Sequence, residues 1–378
     1  MKVVFMIPTR VGEFSYKVPK GAVSYYTVKE AVRRGYINKI ICYGRGKDVN
    51  INLNLFKNPL LHWRIGWAIY NFGRYGLRLP FNLQTEIFDI IGSYYISYIS
   101  RDIDIFHSYP FTSRSIEKAK KLGIITCVQT ETVHPNFVEK ILLMPKYLLS
   151  KLISSYNNAD YILSISEFAK ETFLKEGFPE DKIIYIPCGV DEKRFVPGIK
   201  KDAVFRGLFV GALRDYKGIE YLLKAWHELN LKNSELVLCG EACDKKTRKL
   251  IDKYRNKINI KTPGYVDPVY HYQNASIFIM PSLVEGVNKA VLEALACGLP
   301  TIITNNGGEV VRDGIEGFVI KPKDVNILKE KIEYFYNNPA EVKRMGKNAR
   351  KRIISNFTWE HYSKRVADAY KYVYETIN

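Results

Sequence analysis

Residues 281–303 read PSLVEGVNKAVLEALACGLPTII, and the order of residue types in this stretch decides the fold. A β-branched and aromatic run, SIFIM, ends at Pro281; a loop carries Glu285 and Gly286; Asn288 is suited to cap a helix; Gly298 and Pro300 end that helix before the next strand. The unit is strand, loop, helix, strand. Working outward, the same alternation recurs as VVFMI, INKIICYG, DIDIFHSY, GIITCVQT, DYILSIS and KIIYIP before a polar break at VPGIKKDA (196–203). It resumes after the break as GLFVGAL, ELVLCGE, NIKTPGY, SIFIMPS, PTIITNN and GFVIKP. Near-continuous apolar strands separated by helices form parallel sheets covered on both faces. The expectation is an α/β chain of two Rossmann-like, doubly wound domains facing across a cleft, residues 1–197 and 198–360. A closing helix at about 361–378 is free to pack back on the first domain. Ligands in such sheets bind beyond the carboxyl ends of the strands.

Composition narrows the function. The 378 residues are 47% hydrophobic and 25% charged, with 57 Lys and Arg against 39 Asp and Glu, a net charge of +18, so the chain is globular and favours an anionic partner. In residues 1–150, 21 basic side chains face 10 acidic ones, a surplus of 11 concentrated in the first two fifths of the chain. No RNP motif, zinc-finger spacing or Arg-rich tail accompanies that charge, so no nucleic-acid partner is expected. The six cysteines are scattered without a CxxC pair and read as reduced thiols. MKVVFMIPTR turns into a Pro/Thr/Arg loop without the pattern of a signal peptide, and no window approaches the length of a membrane span, so a cytoplasmic chain is expected.

Glu285 and Glu293 lie eight residues apart. On a continuous helix they would differ by about 80° around the axis and about 12 Å along it. That spacing is too wide for one shared proton or metal and suits a grip on two ends of an elongated ligand. The first amides of the helix, at Asn288, Lys289 and Ala290, would face an anion held between them.

The Glu-x7-Glu segment with EALACGLP behind it resembles the donor-binding signature of family 4 retaining glycosyltransferases of the GT-B fold. ADYILSISEF (159–168), IPCGVDEKRFVP (186–197), FVGALRDYKG (209–218) and NNGGEVVRDGIEGFVI (305–320) agree in order and spacing. The resemblance runs from about residue 129 to the end. It implies that Glu293 holds the ribose hydroxyls of a nucleotide and that Glu285 holds hydroxyls of the donor sugar. Lys217 would meet the diphosphate as a point charge. Gly211, Gly286, Val287, Asn288 and Lys289 would complete the donor site, with the amides of Gly307 and Gly308 able to approach the ligand. The family often carries an arginine five positions before the lysine; here Ala212 stands there, and Arg214 is the proposed substitute.

In the first half, the family's paired glycines after the opening strand are reduced to Gly12 and then Gly21, of which only Gly21 matches. His134, in QTETVHPNF, falls where relatives place a histidine on the sugar or acceptor side, with Glu131 a weaker candidate. Asp102 and Asp104 imitate the metal-binding DxD of the other glycosyltransferase fold, but the alternation of RDIDIFHSY makes them the start of a half-buried strand. Gly44-Arg45-Gly46 lacks the third glycine of a dinucleotide fingerprint and reads as a turn.

The resemblance implies transfer of a hexose from a UDP- or GDP-linked sugar to a hydroxyl with retention, and no cofactor or metal. Front-side attack, with the leaving phosphate taking the incoming proton, is the implied route. The mixed aromatic, aliphatic and basic segments 58–82 and 138–153 suit an anionic membrane surface, hence a lipid-linked or glycan acceptor and a peripheral place on the inner face of the cell membrane. A catalytically inactive nucleotide- or glycan-binding module and a sugar-nucleotide epimerase are the alternatives.

Overall fold

The computed structural model describes residues 1–11, 20–45, 56–57, 81–130, 132–139, 145–286, 288–307 and 310–377. They form two compact units: Met1–Ile165 with Ala169–Pro187 and Glu360–Asn378, and Ser166–Phe168 with Cys188–Trp359.

The first unit runs β1 (Val3–Val11), α1 (Lys20–Arg33), β2 (Ile37–Arg45), β3 (Phe56–Lys57), α2 (Phe81–Ile99), β4 (Ile105–Ser108), α3 (Ser113–Lys121), β5 (Ile125–Thr130), α4 (Pro135–Val138), α5 (Lys146–Asn158), β6 (Tyr161–Ser164), α6 (Glu167–Lys175) and β7 (Ile183–Tyr185). Its sheet has the order β3-β2-β1-β4-β5-β6-β7, all parallel. Every residue of β4 and β5 is buried. Phe88, Phe106, Tyr156 and Phe173 pack in its core. Helices on both faces are what make such all-apolar strands stable.

The second unit runs β8 (Phe205–Val210), α7 (Ile219–Leu229), β9 (Ser234–Cys239), α8 (Lys245–Arg255), β10 (Ile260–Gly264), α9 (Val269–Asn274), β11 (Ile277–Met280), α10 (Lys289–Ala296), β12 (Thr301–Thr304), β13 (Gly317–Ile320), α11 (Val325–Asn337) and α12 (Pro339–Asn356). Its parallel sheet has the order β10-β9-β8-β11-β12-β13. Both units are therefore doubly wound α/β sheets. The last helix, α13 (Trp359–Ile377), belongs to the first unit from Glu360 onward.

That helix is held by polar contacts. The Tyr362 hydroxyl lies 2.8 Å from Thr27 Oγ1 and accepts from Gln129 Nε2 at 2.9 Å. The Tyr370 hydroxyl lies 2.6 Å from His107 Nδ1, Ser363 Oγ accepts the Glu30 amide, and Arg34 pairs with Asp368.

Several details differ from the sequence reading. The first strand continues through Pro8-Thr9-Arg10, which read as a loop; Pro8 offers no amide to the ladder, and the register slips between Ile7 and Arg10. Gly44 and Arg45 are not a turn: they pair with Arg10 and Val11 at the end of β2, while Gly46 lies outside the described residues. Strand β3, of two residues, carries no apolar run to announce it. Asp102 and Asp104 precede a strand buried at all four positions; Asp104 accepts the Lys2 amide at 2.6 Å and Asp102 pairs with Lys2. The boundary between units falls at Pro187/Cys188, ahead of VPGIKKDA, because residues 188–197 are tied into the second unit. Val190 bonds to the Phe357 carbonyl, and Arg350 donates to the carbonyls of Glu192 and Phe195.

Residues 58–80 and 140–144 of the two membrane-suited segments lie outside the described residues. Within α5, Leu149 and Leu152 are buried and Lys151 pairs with Glu86 and Asp89 at 2.6 and 3.3 Å, so this stretch is spent on the core. Among the described residues, no helix is long and apolar enough to cross a membrane.

Candidate active site

Three loops follow the carboxyl ends of β8, β11 and β12: residues 211–218, 281–288 and 305–307. Hydrogen bonds tie them into one surface. The Leu283 amide donates to the Tyr216 carbonyl at 2.7 Å, Thr304 Oγ1 to the Ser282 carbonyl at 2.6 Å, and Asn306 Nδ2 to the Leu283 carbonyl at 2.7 Å. Gly218 makes the approach possible: its φ is +72°, and a Cβ there would lie 2.0 Å from the Pro281 carbonyl oxygen.

Lys217 ends a short 3₁₀ turn and reaches Glu285, whose carboxylate also accepts from Ser282 Oγ at 2.8 Å. Their side chains are 16% and 6% exposed. A nearly buried acid is tolerable only when paired, and here each charge neutralises the other. Asn288 caps α10 by accepting the Val291 amide at 3.3 Å, and its buried Nδ2 has no hydrogen-bond partner. The first amides of that helix, at Lys289 and Ala290, precede its intrahelical bonds.

Glu293 sits on the next turn of α10. It keeps part of its surface open while its carboxyl is closely surrounded by protein, and that burial raises it to about 7. The Tyr272 hydroxyl donates to it at 2.9 Å, and the Arg194 and Lys289 charges partly oppose the rise. Tyr272 in turn packs edge-on against Phe195 at 5.9 Å, so IPCGVDEKRFVP supports Glu293 through a tyrosine that the sequence reading did not single out.

The remaining candidates are placed as follows. The Gly211 amide is occupied by the Cys239 carbonyl at 2.9 Å, so it is not free to meet a ligand. Arg214 is exposed, its basicity raised by the neighbouring Cys243, and Ala212 is exposed as well. Gly286 lies in the loop before α10, Gly307 closes a 3₁₀ turn, and Val287 and Gly308 lie outside the described residues. In the same motif as Gly307, Arg312 pairs with the fully buried Glu316, and the Asp313 carboxylate accepts the Val319 amide at 2.9 Å. Part of that motif is thus spent on building β13.

In the first unit, Gly21 occupies the first turn of α1; Gly12 and Glu131 are outside the described residues. His134 caps α4, its Nδ1 accepting the Asn136 amide at 3.3 Å while its own amide donates to Thr172. Burial between Phe173 and Phe178 lowers its basicity against a weaker opposing pull from Glu176. The ring is neutral with its proton on Nε2, and that buried atom has no partner.

Two family models match the chain in tandem: Glycosyltransferase Family 4 over residues 21–194 and Glycosyl transferases group 1 over residues 190–352. The chain is a family 4 glycosyltransferase. The enzyme is similar to the putative colanic acid biosynthesis glycosyltransferase WcaL of Salmonella typhimurium, 23% identical over 331 residues, which cover 82% of this chain and 79% of the relative. Among solved structures it resembles sucrose-phosphate synthase from Thermosynechococcus elongatus, with a TM-score of 0.71, 19% identity and full coverage of both chains. It also resembles Anabaena HepE in complex with UDP and glucose, with a TM-score of 0.68, 13% identity and coverage of 98% of this chain and all of that one. These likenesses give the glycosyltransferase the GT-B fold.

Proposed function

We propose that this glycosyltransferase moves a hexose from a UDP- or GDP-linked sugar to a hydroxyl of a lipid-linked or glycan acceptor, with retention. The observation that carries the reading is the Lys217–Glu285 pair, held with the α10 N-terminus and Glu293 at the carboxyl end of the second sheet. A diphosphate entering there takes the ammonium from Glu285, frees that carboxylate for the sugar hydroxyls, and meets the Asn288 amide group and the first amides of α10. Glu293, once ionised, accepts both hydroxyls of a ribose diol. HepE was also solved in complex with UDP-glucose, a donor of this chemistry.

Lys217 then stabilises the charge that develops on the leaving diphosphate. The acceptor oxygen attacks from the same face, its proton passing to the leaving phosphate oxygen as the glycosidic bond forms and the anomeric C–O bond breaks. Arg214 adds a second, peripheral cation. No metal is needed for these roles. The naming of WcaL as a colanic acid biosynthesis enzyme favours a growing glycan as acceptor.

Thermal unfolding with UDP, GDP, ADP and their hexose conjugates tests the reading. One nucleotide should raise the melting temperature, by an amount equivalent to about 2.7 kcal/mol at 100 times its dissociation constant, and Lys217→Ala should abolish the rise. No response to any nucleotide, or an equal response in the variant, refutes it.

A further inference from the structure

The second unit contains a cavity of about 830 Å³ away from the donor loops, at the amino ends of its strands. Phe205 opens β8, Ser276 precedes β11 and Leu299 precedes β12, and all three line it. The volume is that of a small-molecule site.

Its charge is one-sided. Lys200, Lys232, Lys343, Lys347 and Arg350 line it, and no Asp or Glu does. Lys343 and Lys347 stand one turn apart on α12. Neither has a carboxylate partner among the described residues, and the same holds for Lys232. Arg350 is fixed by three neutral acceptors, the carbonyls of Phe195, Ala296 and Glu192 at 2.7, 2.8 and 3.0 Å, so its charge is uncompensated. Lys200 donates to Ser276 Oγ at 2.9 Å, and the nearest carboxylate, of Asp202, is 4.0 Å away. Five cations around one hollow repel one another and gather anions.

The walls are aromatic. Phe205 and Tyr336 meet edge to face at 5.4 Å, and Tyr272 lines the cavity while its hydroxyl holds Glu293. One side chain therefore touches both this hollow and the carboxylate assigned to the nucleotide ribose.

We propose that the cavity is a second ligand site for a small organic phosphate, its anion set among Lys232, Lys343 and Lys347 and its non-polar part against Phe205 and Tyr336, and that its occupancy changes nucleotide affinity through Tyr272. The coupling rests on the role proposed for Glu293; the site does not.

The test uses the full chain and anilinonaphthalene sulfonate, whose sulfonate stands in for the phosphate and whose rings fluoresce when sheltered. Saturable fluorescence that inorganic pyrophosphate displaces is expected. Lys343→Glu/Lys347→Glu should weaken the dye at least tenfold, and the milder Lys343→Gln/Lys347→Gln should weaken it less. Lys217→Ala should leave its affinity within twofold. Unchanged affinity in the charge-reversed protein, or loss in Lys217→Ala, overturns the site. For the coupling, saturating dye should shift the nucleotide dissociation constant at least threefold in the native protein and not in Tyr272→Phe; an unshifted constant in the native protein overturns it. Dye binding that persists while no nucleotide binds would refute the donor reading and leave the cavity site standing.

Discussion

At the carboxyl end of the first sheet, His107 Nδ1 and the Gln129 amide are engaged by Tyr370, Tyr362 and Tyr109, side chains of the same unit, and His107 Nε2 is buried without a partner. At the carboxyl end of the second sheet, Lys217 and Glu285 neutralise each other, the Asn288 Nδ2 group is buried without a partner, and burial raises the Glu293 carboxyl to about 7. The same type of sheet thus ends once in a network that ties down a helix and once in groups poised for exchange. The first end is neutral and closed by its own helix; the second holds paired charges that an ionic ligand can exchange.

Lys217→Ala should break the second region while sparing the first. Transfer should fall about a thousandfold, the scale of losing a principal charge stabiliser, with an unchanged melting temperature for the first unit, as product formation and calorimetry would show. Near-normal turnover would remove the contrast.

The first region is tested by acid. Burial lowers His107 to about 3 from the usual 6.5. Its contribution to stability is therefore complete above pH 6.5 and is lost as pH falls toward 3, a loss on the order of 5 kcal/mol. His107→Phe should flatten that acid limb in denaturant titrations while leaving nucleotide affinity unchanged.

Glu293 has the opposite sign. A carboxyl raised to about 7 favours the folded state fully below about 4.5, and that contribution is lost as pH rises through 7. Nucleotide affinity should rise over the same interval, because only the ionised group accepts both ribose hydroxyls. Glu293→Gln should flatten both curves and weaken nucleotide binding about tenfold, measured by titration calorimetry from pH 5.5 to 8.5. The smallest effect is expected at Arg214, which is exposed: Arg214→Ala should change the rate less than about threefold.

The fold was legible because both halves are written as apolar runs separated by helical stretches, and PSLVEGVNKAVLEALACGLP carries its own cap and stop. The candidate site was legible where residues of suitable chemistry are concentrated in one segment, as with Glu285, Asn288 and Glu293. Lys217 meeting Glu285 was not, since the two are 68 residues apart and joined only by the fold. Tyr272 was hidden for the same reason: VYHYQNA offers three aromatic side chains at 270–272 and nothing to choose the one that turns inward. The unit boundary was misplaced because VPGIKKDA looks like a linker, while the contacts that define the second unit begin with Cys188.

Hydrogen–deuterium exchange of the full chain, with and without the nucleotide that raises its melting temperature, tests the central claim most directly. The account predicts protection of residues 211–218 and 281–296, with the α1 and α13 network unchanged. Protection confined to the first unit, or absent from both donor loops while the nucleotide is bound, would contradict it.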